Sequence, residues 1–171
     1  LAISSAGEMA LSLGCLPGIP RGTLARAPLA GGAPRELLER VQEAVWNPDG
    51  SALAVVRAEL PGGGSRLEYP AGKVLYERAE GWLSHPRFSP EGDEIAFAEH
   101  PVKADHVGHV SLVDLRGKKR DLTGDYAGGV WGIAWTPGGD EVWHTAAESR
   151  GNYELRAVSR RGGPSRVVLR V

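Results

Sequence analysis

The segment Phe88-Ser89-Pro90-Glu91-Gly92-Asp93-Glu94-Ile95-Ala96-Phe97 constrains the fold of this chain more than any other. It reads as two short apolar strands joined by a tight turn. Pro90 sets φ near −65° at the leading corner, and Gly92 takes a position with φ > 0 that other residues resist. The unit recurs as Trp46-Asn47-Pro48-Asp49-Gly50 before Leu53-Ala54-Val55, and as Trp135-Thr136-Pro137-Gly138-Gly139 before Val142-Trp143. A looser copy, Ile3-Ser4-Ser5-Ala6-Gly7, opens the chain. The turn glycines Gly7, Gly50, Gly92 and Gly139 are 43, 42 and 47 residues apart.

A period of roughly 40–45 residues built from short strands is the spacing of propeller blades. Each turn unit is followed by two more strand-like runs: Gly22–Leu29 and Pro34–Leu38, Arg66–Tyr69 and Lys73–Arg78, His109–Leu115 and Lys118–Thr123, Tyr153–Ser159 and Arg166–Val171. The expected fold is therefore all-β, a β-propeller segment of four four-stranded antiparallel blades over about 1–40, 41–80, 81–125 and 126–171. The 24 glycines and 12 prolines are spread through the chain, as many tight turns require. Residues 34–44 have strong local helix propensity, but the register of the repeat places a fourth strand there. The chain opens inside a strand pattern, which is the expectation for a piece of a longer propeller.

Aligning the repeats predicts the core. Ile3, Trp46, Phe88 and Trp135 precede their turn glycines by the same distance, and Ala10, Leu53, Ile95 and Val142 follow at another matched position. Stacked sheets need large apolar groups at matched sites, because one blade cannot bury both its faces. His144 stands where other copies carry apolar or small residues, and is expected to find a backbone partner.

Charge is balanced, with 20 basic and 21 acidic residues, which favours neither nucleic acid nor an anionic membrane surface as partner. No apolar run approaches the ~20 residues of a membrane-spanning helix. The single Cys15 forms no internal disulfide. Glu99–His109 holds three histidines and two carboxylates, but His100, His106 and His109 match no closed metal-site spacing, and the stretch reads as an exposed connection. Gly62-Gly63-Gly64 lacks the ending and helix of a phosphate loop. There is no Gly-x-Ser-x-Gly elbow and no His-Glu-x-x-His, so no catalytic residue, metal or cofactor is expected. Binding is expected at the rim where inner strands begin, for a protein or small-molecule ligand. Trp82, His85, Arg87 and Trp131 lie on the entries to the third and fourth repeats and combine aromatic faces with hydrogen-bonding groups. The alternative for both tryptophans is packing.

The unit Phe88–Phe97 resembles the repeat of TolB-type propellers. Gly22–Leu38, followed by the Trp46 turn and Gly72-Lys73-Val74-Leu75-Tyr76, resembles the C-terminal propeller of bacterial serine/threonine protein kinases, notably acidobacterial ones. The resemblance implies a non-catalytic sensor or protein-interaction module in an extracytoplasmic setting. Two alternatives stay open: an accessory propeller of a prolyl-oligopeptidase-type peptidase, or a TolB-like periplasmic scaffold. Four blades form either a small ring or an open arc with bare apolar faces. The arc predicts a homodimer through the terminal blades.

Overall fold

The computed structural model describes residues 2–15, 21–58, 64–149 and 151–170. Most of the triple-glycine loop, Gly62 and Gly63 included, lies outside them. All fifteen described elements are strands, all antiparallel to their neighbours. They are β1 (Ala2–Ile3), β2 (Glu8–Leu13), β3 (Gly22–Pro28), β4 (Arg35–Trp46), β5 (Leu53–Ala58), β6 (Ser65–Glu68), β7 (Val74–Arg78), β8 (Trp82–Phe88), β9 (Glu94–His100), β10 (His109–Asp114), β11 (Lys119–Asp121), β12 (Gly129–Trp135), β13 (Glu141–Ala147), β14 (Tyr153–Ser159) and β15 (Arg166–Arg170).

The strands form three sheets of seven, four and four, rather than four separate quartets. The first sheet runs β1 to β7 in order because β4 serves two pairings. Its first half pairs with β3 and its second half with β5. Arg40 takes φ 58 at the change-over, and the register shifts between Val41 and Glu43. The helix-prone stretch is thus a strand. Pairing on both sides and burial of Val41 and Trp46 override its local propensity.

All four turns close alike. The amides of Gly7, Gly50, Gly92 and Gly139 donate to the carbonyls of Ser4, Asn47, Ser89 and Thr136 at 2.9–3.2 Å, and each glycine has φ of 72–78°. The side-chain oxygen of that same first residue accepts an amide from the returning strand: Glu8 to Ser4, Ala52 to Asn47, Glu94 to Ser89 and Glu141 to Thr136, at 3.0–3.2 Å. The turn residues Asn, Ser and Thr are therefore chosen for a short acceptor that replaces a backbone partner.

Successive turns also touch. A Cβ on Gly92 would meet the Pro48 ring at 3.2 Å, and one on Gly139 the Glu91 carboxylate at 2.9 Å. Behind the turns, Trp46 Nε1 donates to the Ala2 carbonyl and Trp135 Nε1 to the Arg87 carbonyl, at 3.3 and 3.0 Å. Strand β4 is thereby tied to β1, and β12 to β8.

Three cores lie between successive repeats. Strand β5 divides its side chains between two of them: Leu53 and Val55 face the first repeat, Ala54 and Val56 the third. Strand β9 does the same, with Ile95 and Phe97 towards the second repeat and Ala96 and Ala98 towards the fourth. Burial on both faces explains why these strands are apolar throughout.

Two sequence matches need correction. Ile3 is 55% exposed, whereas Trp46 and Phe88 are buried and Trp135 is half-buried. This position faces the preceding repeat, and no described sheet lies on that side of β1. The first turn is also one residue shorter, closing from Ser4 to Glu8 where the second closes from Asn47 to Ala52. Met9 therefore pairs with Ile3 as Leu53 pairs with Trp46, and Ala10 faces the second repeat instead.

Gly92→Val should destabilise the chain by more than about 1 kcal/mol, because a β-branched residue resists φ 74 and its branch meets Pro48. The denaturant midpoint measures this; an unchanged midpoint contradicts the turn assignment.

Candidate functional site

The four residues singled out in the sequence fall into two groups. Trp82 opens β8 and stacks on His100 of β9, with ring centroids 3.8 Å apart and planes 12° apart. Trp131, on β12, lies 3.9 Å from the ring of His106, which also presents an edge to Trp82 at 5.6 Å. Tyr153 of β14 continues the row, 6.1 Å from Trp131. The row spans the third and fourth repeats. His106 and Tyr153 were not legible as members, since one lies on the β9–β10 connection and the other on a third strand.

The connection is held against β12 by a close approach. The His106 carbonyl accepts the Val130 amide, and a Cβ on Gly129 would lie 2.8 Å from His106. Gly129 adopts φ 100, so glycine serves both needs here. Both indole N–H groups are satisfied locally, Trp82 by the Asp105 carbonyl at 2.9 Å and Trp131 by the Gly128 carbonyl at 3.3 Å. What they offer a partner is ring surface. Trp82 is half-buried, whereas Trp131 is 42% exposed.

His85 and Arg87 lie further along β8, around a register shift between Ser84 and Arg87. His85 has φ 56, and its amide donates to both Glu43 oxygens at 3.0 Å. Arg87 is exposed and borders a cavity of about 350 Å³ lined chiefly by β2, β3 and β4.

The Glu99–His109 stretch is an exposed connection only in its middle, where Val102, Lys103, Ala104 and His106 are exposed; its ends are not. Glu99 and His100 are buried on β9, and His109 starts the neighbouring strand β10. Glu99 accepts from Tyr76 at 2.9 Å, and pairs with Arg78 and with Lys119 Nζ at 2.7 Å. His109 reaches Asp125 through Nδ1 at 2.7 Å, and its Nε2 lies 3.2 Å from Asp121 and 3.6 Å from Glu99. The donor atoms of Glu99, His109 and Asp121 lie within 4.8 Å of one another, close enough to hold a cation. That position already has one, because Lys119 Nζ stands 2.7 Å from Glu99 and 2.5 Å from Asp121. Burial works to raise the Glu99 pKa, but hydrogen bonds from His109, Lys119 and Tyr76 outweigh it and hold the carboxyl well below the usual range. The cluster reads as a charge network that fastens β7, β9, β10 and β11 together.

Two other histidines are buried. His100 Nε2 meets Ser84 Oγ at 2.8 Å, and its Nδ1 lies near the carbonyls of His106 and Val107, which assigns the proton to Nδ1. His144 Nε2 meets the Tyr126 hydroxyl at 3.0 Å, and the Val142 backbone also contacts the ring. Burial lowers the pKa of each from 6.5 to about 4.

Both rings are neutral when folded at neutral pH and take up a proton more readily when unfolded. Their stabilisation is complete above 6.5 and is lost as pH falls from there towards 4. His109, whose pKa is raised by Glu99 and Asp125 despite burial, acts in the opposite direction as pH rises. Replacing His144 with glutamine should flatten the loss of stability between pH 6.5 and 4, measured as denaturation midpoint against pH. An unchanged slope contradicts the burial of a neutral ring.

No family model matches the chain, and no curated protein matches it. Among solved structures it is similar to TolB from Acinetobacter baumannii, with a TM-score of 0.72 and 13% identity over 99% of this chain and 43% of that one. It is also similar to an oligogalacturonate lyase from Vibrio parahaemolyticus (TM-score 0.63, 15% identity, 87% of this chain and 48% of that one). Prolyl oligopeptidase B from Galerina marginata gives a TM-score of 0.66 at 13% identity, over 96% of this chain and 27% of that one. These likenesses show the fold, that of part of a β-propeller. The chain spans less than half the length of each of the three.

Proposed function

We propose that the chain is a non-catalytic binding module, four four-stranded blades of a longer propeller, that presents the Trp82–His106–Trp131–Tyr153 row to a protein partner. The observation carrying this reading is that Trp131 is 42% exposed while its N–H is already bonded within the chain. An anchored aromatic face on a rigid sheet loses little conformational freedom when covered, and aromatic residues dominate interface energetics. Sharing of β4 between two pairings is compatible with four blades, since each half of the strand completes its own quartet.

The sequence resemblance to kinase-attached propellers supports a sensor role in the C-terminal region of a bacterial serine/threonine kinase. The likeness to prolyl oligopeptidase B supports the second reading, an accessory propeller beside a catalytic domain. In either setting this segment carries recognition rather than chemistry. The exposed Ile3 and Leu169 on the first and last sheets support self-association of the isolated segment through its terminal blades.

Alanine substitutions separate binding from packing. Trp82→Ala should cost about 3 kcal/mol or more, because it removes a ring stacked on buried His100. Trp131→Ala should cost about 1 kcal/mol or less, yet abolish binding of peptides selected by the wild-type chain from a displayed library. Equal losses of stability, with peptide binding kept by Trp131→Ala, contradict the reading.

A further inference from the structure

The register shifts on two neighbouring inner strands enclose a site distinct from the aromatic row. Two of the non-glycine residues with positive φ, Arg40 at 58° and His85 at 56°, stand at the shifts of β4 and β8. Bulges re-aim side chains beside functional sites, and left-handed backbone in residues with a Cβ persists only where the surroundings enforce it. Here the enforcement is visible. Both carboxylate oxygens of Glu43 receive the His85 amide at 3.0 Å, which locks one bulge to the other.

The cavity beside them, about 350 Å³, is bordered by Glu43 and Arg87, with Ala10, Leu24, Val41 and Val45 among its apolar walls. That volume lies at the lower end of the ~300–1,000 Å³ of small-ligand sites. Among the described residues, the Arg87 guanidinium bonds only to the carbonyl of Pro86, through Nη1 at 2.7 Å, and forms no ion pair. Most of its five donors are open to an incoming oxyanion. Glu43 accepts from one backbone amide and has the imidazole of His85 at 3.7 Å, so its oxygens keep lone pairs for further donors. A cation and an anion that do not neutralise each other, at one small cavity with both polar and apolar walls, complement a ligand with opposite charges at its two ends.

We propose that this cavity binds a small zwitterion, an aliphatic amino acid or short peptide with free ends, its carboxylate on Arg87 and its ammonium group on Glu43. The proposal rests on reading the chain as a binding module and gives that module a small-molecule ligand. The ligand's aliphatic side chain packs on Leu24, Val41 and Val45, and its two charged ends fix its direction.

The test is calorimetric titration of the whole chain with the dipeptide Ala-Leu, its N-acetylated form and its C-terminal amide. The free dipeptide should bind at least about tenfold tighter than either capped form. Arg87→Gln, an exposed replacement, should make the free dipeptide and the amide bind equally. Glu43→Gln should do the same for the free and acetylated forms; if it fails to fold, the Arg87→Gln comparison decides alone. Trp131→Ala should leave all three affinities unchanged, which separates this site from the aromatic row. Absence of Ala-Leu binding at millimolar concentration, equal binding of the three probes to the wild type, or an unaltered preference in Arg87→Gln overturns the proposal.

Discussion

The structure depends on a side-chain oxygen accepting a backbone amide at the end of each inner strand. Ser4, Asn47, Ser89 and Thr136 make the same bond in four places, each beside a glycine whose amide returns to the same residue. The bond fixes where the inner strand stops and the second strand starts, and so fixes which residues of that second strand face which neighbour. In β5 and β9 a shift by one residue would exchange the two cores on either side of the sheet. Because successive turns also touch, as Gly92 does Pro48 and Gly139 does Glu91, the turn sets the stacking of sheets as well as their register.

That regular frame carries irregularities, some of them where binding is proposed. Against the strand that follows each, β4, β8 and β12 lose register once, near Glu43, His85 and Trp131 respectively, and β4 shifts twice more against β3. Regular pairing would alternate their side chains between the two flanking cores. The shifts release Glu43 and Arg87 towards a cavity, and Trp131 towards solvent. Polar groups buried in the frame are meanwhile tied down: Glu99 by Tyr76, Arg78 and Lys119, His100 by Ser84, His144 by Tyr126. A buried carboxylate with fewer partners would be costly, which is why this network draws on four strands.

The repeat, the turns and the all-β class were legible because they are local and recur with a fixed period. The core was legible at Trp46, Phe88, Ile95 and Val142 for the same reason. What failed was what the period does not encode. The one-residue shortening of the first turn moved the counterpart of Leu53 from Ala10 to Met9, and it is invisible without the pairing. Ile3 looked like core because its relatives are core, yet the side it faces has no described sheet. Glu99, His109 and Asp121 are distant along the chain and meet only through the β9–β10–β11 pairing. Trp82 and Trp131 were singled out by residue type and the structure places both in one row of rings, but His106, which joins them, belongs to a connection with no periodic signal.

The claim that the capped turns hold sheet to sheet is tested most directly by native-state hydrogen exchange on Ser89→Ala. This change removes one acceptor and leaves Gly92 and its φ in place. The account predicts lost protection in both β5 and β9, the strands whose shared core lies behind that turn, together with the amides of Asp93 and Glu94. Lost protection confined to Asp93 and Glu94, with β5 unchanged, would contradict it.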